Sequence, residues 1–385
     1  MNAPTSGYVP RVEPVRIALD VLGGDGAPAD LLDAVPLVLQ RAPGIQLVLV
    51  GPADEIRSRL AARGMDVDTE PRLSIAASTH AVGMAEDPIG GVRNLPTVSA
   101  RVAAECVRDG RADALVSLGH TGAAVAAATL FLGRLGRLTR PVVAVAVPAL
   151  AGPVILLDAG AGTNEPTSED LLAYAVMGVA YAEALHEAGH LTDSDPIRVG
   201  LLTIGTEPGK GDPLRVAAAA RLELDAPSLA FEYVGGVEGH DVALGDAADV
   251  VVTDGFTGNV LLKGLEGAAA WGAVVYGDAY GDPEPARDVL RRTRQGPLAA
   301  GLLLGVNGVV VVGHGASSAE SVTSCVQLAQ QAVEGDVVGR VRARTASIRS
   351  GTQTSPTPRS PRSSARISNA EASTGTPPPT VEAVP

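Results

Sequence analysis

The sequence predicts an α/β fold, a three-layer α/β/α arrangement around a mainly parallel sheet. Three observations carry this. Short β-branched runs, apolar at nearly every position, recur along the chain; Ala- and Leu-rich stretches with helical spacing separate them; and a glycine-rich turn follows nearly every run. Strands apolar on both faces need cover on both faces, and helical crossovers let successive strands run parallel.

In chain order, residues 1–14 read as a loose leader without the apolar core of a signal peptide. Strands are predicted over Arg16–Leu22, Gln46–Val50, Ala114–Val116, Val142–Val147, Val154–Leu157, Val199–Ile204 and Asp249–Thr253, with a last one at Val309–Val312. Helices are predicted over Val98–Arg108, Asp170–Ala188 and Val216–Leu224, and Ser317–Val333 closes the domain, which spans residues 15–338. From residue 339 to 385 Ser, Thr, Pro and Arg dominate without periodicity. This stretch reads as a disordered tail, because it lacks the apolar residues that offset ordering entropy.

Composition excludes several classes. With 46% hydrophobic residues over 385 positions the core is ample, while 3% aromatic content leaves little for nucleobase stacking. The net charge is −13, and the seven Arg and two Glu from Gly339 onward give the tail +5, leaving −18 on the body. An acidic body with a short basic tail argues against nucleic acid as a partner. Cys106 and Cys325 lie in apolar helical patterns, as buried free thiols in a reducing compartment do. No uninterrupted apolar run reaches the roughly 18 residues of a membrane span. The expectation is a cytoplasmic protein.

Ligands of open α/β sheets bind beyond the carboxyl ends of the strands. Those ends carry six glycine-rich turns: Asp20–Gly26 with Gly23, Gly24 and Asp25; Ser117–Gly122 with Gly119, His120 and Thr121; Asp158–Asn164; Ile204–Gly211 with Gly205 and Lys210; Thr253–Asn259 with Asp254, Thr257 and Gly258; and Gly313–Ser318 with His314. Tight turns need glycine in any case. Several of these, however, end in hydroxyl or amide side chains that open a helix, where backbone N–H groups can close on an anion. Lys210 and Lys263 are the chain's two lysines, both beside such turns in a sequence that otherwise uses arginine. Chance survival explains them, or a need for a compact ammonium against phosphate or a thioester oxygen.

Two motifs are decoys. Gly24–Ala29 mimics a dinucleotide fingerprint, but Asp25 would face the pyrophosphate and strand two ends in Val50-Gly51 with no ribose-reading acid. His186-Glu187-Ala-Gly-His190 matches a zincin pattern at a fraying helix end, with no third ligand downstream. No nucleophile elbow or reactive-cysteine context is present, so any acyl transfer would be direct.

The turns, in this order, resemble the phosphate acyltransferase (PlsX) family. The matching stretches include Ile17–Asp25, Gly110–Gly122, Arg140-Pro141, Val199–Gly211, Val237-Glu-Gly239, Leu304–Gly308 and His314–Ser318, with Asp249–Lys263 the most specific. The resemblance implies a fold similar to isocitrate and isopropylmalate dehydrogenases and a homodimer. It implies acyl transfer from acyl carrier protein to inorganic phosphate at the start of phospholipid synthesis, with the acyl phosphate passed to a membrane glycerol-phosphate acyltransferase and loose membrane association. No metal, nucleotide or other cofactor is implied. Lys210, Asp254, Asn259, Lys263 and His314 fall to catalysis, while Gly23, Gly24, Asp25, Ser117, Gly119, His120, Thr121, Gly122, Gly205, Thr257 and Gly258 fall to substrate or phosphate binding. Departures from the family pattern include His120 in place of Asn and Thr206-Glu207 in place of an acidic pair. Arg287, Arg291, Arg292 and Arg294 form a candidate basic stripe for the carrier protein, or an ordinary solvated helix face. The rival readings are a phosphotransacetylase-like enzyme using acyl-coenzyme A, a nicotinamide-dependent hydroxy-acid dehydrogenase of the same fold class, and a catalytically silent scaffold for lipid enzymes.

Overall fold

In the computed structural model, strand β1 (Val15–Asp20) is flanked by parallel partners, β2 (Ile45–Gly51) and β4 (Ala114–Ser117). The structure describes residues 13–24, 27–162, 165–191, 195–207, 209–282, 284, 286–288, 300–313 and 318–348. Successive residues of β1 serve different cores: Ile17 and Leu19 pack on one face of the sheet and Ala18 on the other. That two-sided burial is why the strand is apolar at consecutive positions. Helices α1 (Ala29–Arg41), α6 (Ser168–Glu187) and α10 (Ala319–Glu334) cover the first face, and α4 (Ser99–Arg108) and α5 (Thr121–Ala127) the second. Gly178 lets α6 settle closely, since a Cβ there would stand 2.5 Å from Val250 Cγ1.

The strand order is β3-β2-β1-β4-β11-β10-β5-β6-β9-β7-β8. Here β3 is Leu73–Ala77, β5 Val142–Val147, β6 Val154–Leu157, β7 Arg198–Leu202, β8 Glu232–Val237, β9 Val250–Val252, β10 Gly301–Leu304 and β11 Val309–Val312. Seven ladders are parallel, and three, β11–β10, β10–β5 and β5–β6, are antiparallel. The sheet is therefore mainly parallel. Three reversals in a row also invert the second half, so β6, β9, β7 and β8 run opposite to β1 and β4. Their carboxyl ends emerge from the other edge of the sheet.

Three strands escaped the sequence pattern. Edge strand β3 is only partly buried, at Leu73 and Ala76, edge strand β8 carries Gly235 and Gly236, and β10 is Gly-Leu-Leu-Leu, which has no β-branched residue. Predicted β1 and β7 run too far, ending at Asp20 and Leu202.

The domain boundary needs correction. Residues 339–348, expected in the tail, belong to the compact unit that runs to Ile348, and α11 (Val337–Thr345) buries Val341. Its arginines meet carboxylates on α6: Arg344 Nε donates to Glu183 at 2.8 Å and Arg340 Nη1 to Glu187 at 2.8 Å. Composition showed the basic charge but not the acidic helix it covers. Among the described residues no helix is long and apolar enough to cross a membrane. The zincin-like motif is otherwise engaged, with Glu187 on Arg340 and His190 Nε2 2.9 Å from Gln331 Nε2.

Candidate functional site

Two assemblies of glycine turns stand at opposite sheet edges. The first lies beyond β1 and β4, where a pocket of about 350 Å³ is lined by Asp20, Gly23, Gly24, Ser99, Ser117, Gly119 and His120, among others. Gly23 and Gly119 bring two backbones into contact: a Cβ on Gly119 would stand 2.7 Å from Gly23 Cα. Asp20 is 2% exposed and accepts from Ser117 Oγ at 2.9 Å and Leu22 N–H at 3.1 Å. Burial pushes its carboxyl above the usual range, against the pull of Ser99, Ser117 and the Leu22 and Gly23 amides. His120 caps α5, its Nδ1 accepting from Gly122 N–H at 3.0 Å. A neutral ring in that position carries its proton on Nε2. Thr121 and Gly122 form the first turn of α5 behind it.

The second assembly lies beyond β6, β9 and β7. Asp158, 1% exposed, accepts four backbone N–H bonds: Val143 at 3.1 Å, Gly160 at 2.9 Å and Ala161 at 2.8 Å on Oδ1, and Gly162 at 2.9 Å on Oδ2. Burial raises its pKa even so, with the four amides opposing. Onto this loop sits the first turn of α9 (Gly255–Tyr280). A Cβ on Gly258 would fall 2.0 Å from the Asp158 carbonyl oxygen, and one on Gly255 2.8 Å from Asp158 Oδ2. Asn259 Nδ2 closes the contact by donating to the Ala159 carbonyl at 3.1 Å. The glycines of this motif are thus demanded by close approach.

Asp254 is the N-cap of α9. Its Oδ1 accepts from Thr257 N–H at 2.9 Å, and its Oδ2 accepts from Thr257 Oγ1 at 2.6 Å and from Arg215. Burial pushes the carboxyl up, but the Thr257 hydroxyl and amide and the Arg215 guanidinium hold it below the usual range. Arg215 belongs to α7 (Pro213–Asp225), which follows the turn bearing Gly205 and Lys210. Lys210 is half-exposed, with Nζ 4.0 Å from Glu207 Oε1. Thr203 Oγ1, at the root of that turn, is buried without a hydrogen-bond partner.

The structure therefore gathers Lys210, Gly205, Asp254, Thr257, Gly258 and Asn259 at one edge, and Gly23, Gly24, Ser117, Gly119, His120, Thr121 and Gly122 at the other. Lys263 lies further along α9, paired with Glu266 at 2.8 Å. Asp25 and His314 fall outside the described residues, as do Arg291, Arg292 and Arg294 of the basic stripe, whose Arg287 pairs with Glu284 at 2.6 Å. Asp20 and Asp158 are site residues that the sequence pattern does not single out, although each stands at a strand end. Arg215 carries no sequence signal on its Ala-rich helix.

Comparison with known proteins adds the following. A family model described as fatty acid synthesis protein matches residues 15–279. The chain is 36% identical over 354 residues to a phosphate acyltransferase of Thermobifida fusca, covering 89% of this chain and 94% of that one. It is 38% identical over 345 residues to a phosphate acyltransferase of Thermus thermophilus, covering 87% and 99%. Among solved structures, a phosphotransacetylase from Streptococcus pyogenes superposes with a TM-score of 0.55 at 14% identity, over 83% of this chain and 94% of that one. The EutD phosphotransacetylase from Staphylococcus aureus gives 0.51 at 17% identity, over 84% and 94%. The structural likenesses speak to fold alone.

Proposed function

The chain belongs to the phosphate acyltransferase family, and on that premise we propose that it transfers a fatty acyl group from acyl carrier protein to inorganic phosphate, giving acyl phosphate for phospholipid synthesis. The observation that carries this reading is the second assembly, where the turn with Lys210, the guanidinium of Arg215 and the glycine-packed start of α9 converge on one sheet edge. A phosphate oxygen attacks the thioester carbonyl, the C–O bond forms, and the C–S bond breaks with the carrier thiolate leaving. Lys210 and the turn from Asp254 to Asn259 line the contact, and the Lys210 ammonium neutralises the oxyanion that builds there. The Ser117–Gly122 turn cradles phosphate or the donor's pantetheine end, and Lys263 and His314 supply further cations or hydrogen bonds.

A direct transfer is favoured by the cysteines. Both are buried, and burial raises both thiols, Cys325 to about 12, so neither is a ready acyl-accepting thiolate. A homodimer is supported by α9, whose Phe256, Trp271 and Tyr280 are 77%, 71% and 72% exposed. The enzyme works in the cytoplasm, loosely at the membrane, and hands its product to a glycerol-phosphate acyltransferase there.

The test is incubation with palmitoyl-acyl carrier protein and phosphate, following free carrier thiol and trapping acyl phosphate with hydroxylamine. Phosphate-dependent formation of both is expected. A coenzyme A thioester that turns over faster would move the donor assignment, and no product from either donor would favour the scaffold.

A further inference from the structure

Resting on the acyl-transfer reading, we propose that Arg215 is a positioning residue: its guanidinium fixes the first turn of α9 to the turn that carries Lys210. Arg215 is 9% exposed, unusual for an arginine outside a tight network. At its own end, Asp212 caps α7 by accepting from Arg215 N–H at 2.8 Å, and takes a second bond from Arg215 Nη1 at 2.9 Å. At the far end, Nη2 reaches Asp254 Oδ2, Thr253 Oγ1 at 3.1 Å and Thr257 Oγ1 at 3.3 Å. One planar group thus joins the segment just after Lys210-Gly211 to the end of β9 and the start of α9. Gly211 permits this, since a Cβ there would stand 2.7 Å from Arg215 Cβ.

The same geometry assigns Asp254 an anchoring task. Both of its oxygens are engaged, by Thr257 and by Arg215, so it holds the turn and does not accept a proton from substrate. Lysine cannot replace the bridge, because a point charge on a flexible stem does not span Asp212 and Asp254 together.

The experiment compares Arg215→Ala, Arg215→Lys, Asp254→Asn and the Arg215→Ala/Asp254→Asn double variant in full-length protein, by kcat, by KM for phosphate and for donor, and by hydrogen exchange. Arg215→Ala is expected to lower kcat by about 10- to 100-fold, as losing a charge-assisted hydrogen-bond set does, with KM for phosphate little changed. Millimolar guanidinium, but not sodium at equal ionic strength, should restore part of that loss. The double variant should lose little more than the worse single one, since both act through one contact. Amides of Thr257 and Gly258, which donate to Asp254 Oδ1 and to its carbonyl oxygen, both at 2.9 Å, should exchange faster in Arg215→Ala. A raised KM for phosphate with unchanged kcat would show direct substrate contact and overturn the positioning role, as would multiplicative losses or wild-type exchange at those amides. Should Arg215→Ala fail to fold, Arg215→Lys carries the same exchange and kinetic readouts. Wild-type protein inactive with both donors would sink the acyl-transfer reading alone, because the exchange measurement still decides whether Arg215 holds the turn.

Discussion

Asp20 and Asp254 occupy like positions at opposite edges of the sheet, yet the protein shifts them in opposite directions. Asp20 ends β1 and is held by a serine hydroxyl and backbone amides, and its pKa is raised. Asp254 follows β9 and is held by a threonine hydroxyl, an amide and a full positive charge, and its pKa is lowered. Asp158, beside Asp254, behaves as Asp20 does, despite accepting four amides. Neutral dipoles therefore do not offset burial here, whereas dipoles joined to a guanidinium do, helped by the greater exposure of the Asp254 side chain at 15%. One edge of the sheet presents a carboxyl biased toward its neutral form, and the other an ion pair whose arginine stands on the helix that follows the Lys210 turn.

The largest effect should come from Asp158→Ala. It strands four amides, that of Val143 buried and those of Gly160, Ala161 and Gly162 part-buried, and removes the seat of α9, so we expect a loss of about 3 kcal/mol or more, read as a lower urea midpoint. Asp158→Asn keeps Oδ1, which takes three of the four bonds, and should cost about 1–2 kcal/mol. Equal losses would mean that charge, and not the hydrogen-bond pattern, holds the loop.

Lys210→Ala separates chemistry from folding at the same edge. With a half-exposed side chain and a 4.0 Å ion pair, Lys210 should contribute under about 0.5 kcal/mol to stability. Turnover should fall about 100-fold if its ammonium meets the oxyanion. Unchanged kcat would remove it from the site.

How much of this was legible beforehand follows from the physics of each part. The inner strands other than β10 announced themselves because two-sided burial forces apolar residues at consecutive positions. The turn around Gly255 and Gly258 was legible because contact with Asp158 leaves no room for a Cβ. The gathering of turns at two edges was not, because it depends on β10, β5 and β6 pairing antiparallel, and no local pattern records strand direction. Arg215 was hidden for a similar reason: its partners on β9 and α9 lie 38 to 42 residues away. Arg340 and Arg344 look like tail charge in the sequence because their glutamates sit on α6.

The opposite shifts also predict opposite pH slopes. Asp20 has a raised folded pKa, so its contribution is fully present below the unfolded value of about 4 and is lost as pH rises through the folded value. Asp20→Asn should therefore gain on wild type between acid and neutral pH. Asp254 has a lowered folded pKa, so its contribution is present above about 4 and lost as pH falls through the folded value. Asp254→Asn should cost most at neutral pH and least in acid. Denaturation series at several pH values read both slopes, and slopes of one sign would break the comparison.

The smallest effect sharpens the account of the Asp20 edge. Ser117 donates to Asp20 Oδ2 at 2.9 Å from a side chain that is itself buried, so Ser117→Ala leaves that oxygen one donor short. The expected cost is about 1 kcal/mol at neutral pH, where the carboxylate needs the bond most. In acid a protonated Asp20 loses less by the change, so the cost should shrink as pH falls. A cost that stays flat with pH would mean that Asp20 is neutral throughout, with Ser117 then bonding a carboxylic acid at the floor of the pocket.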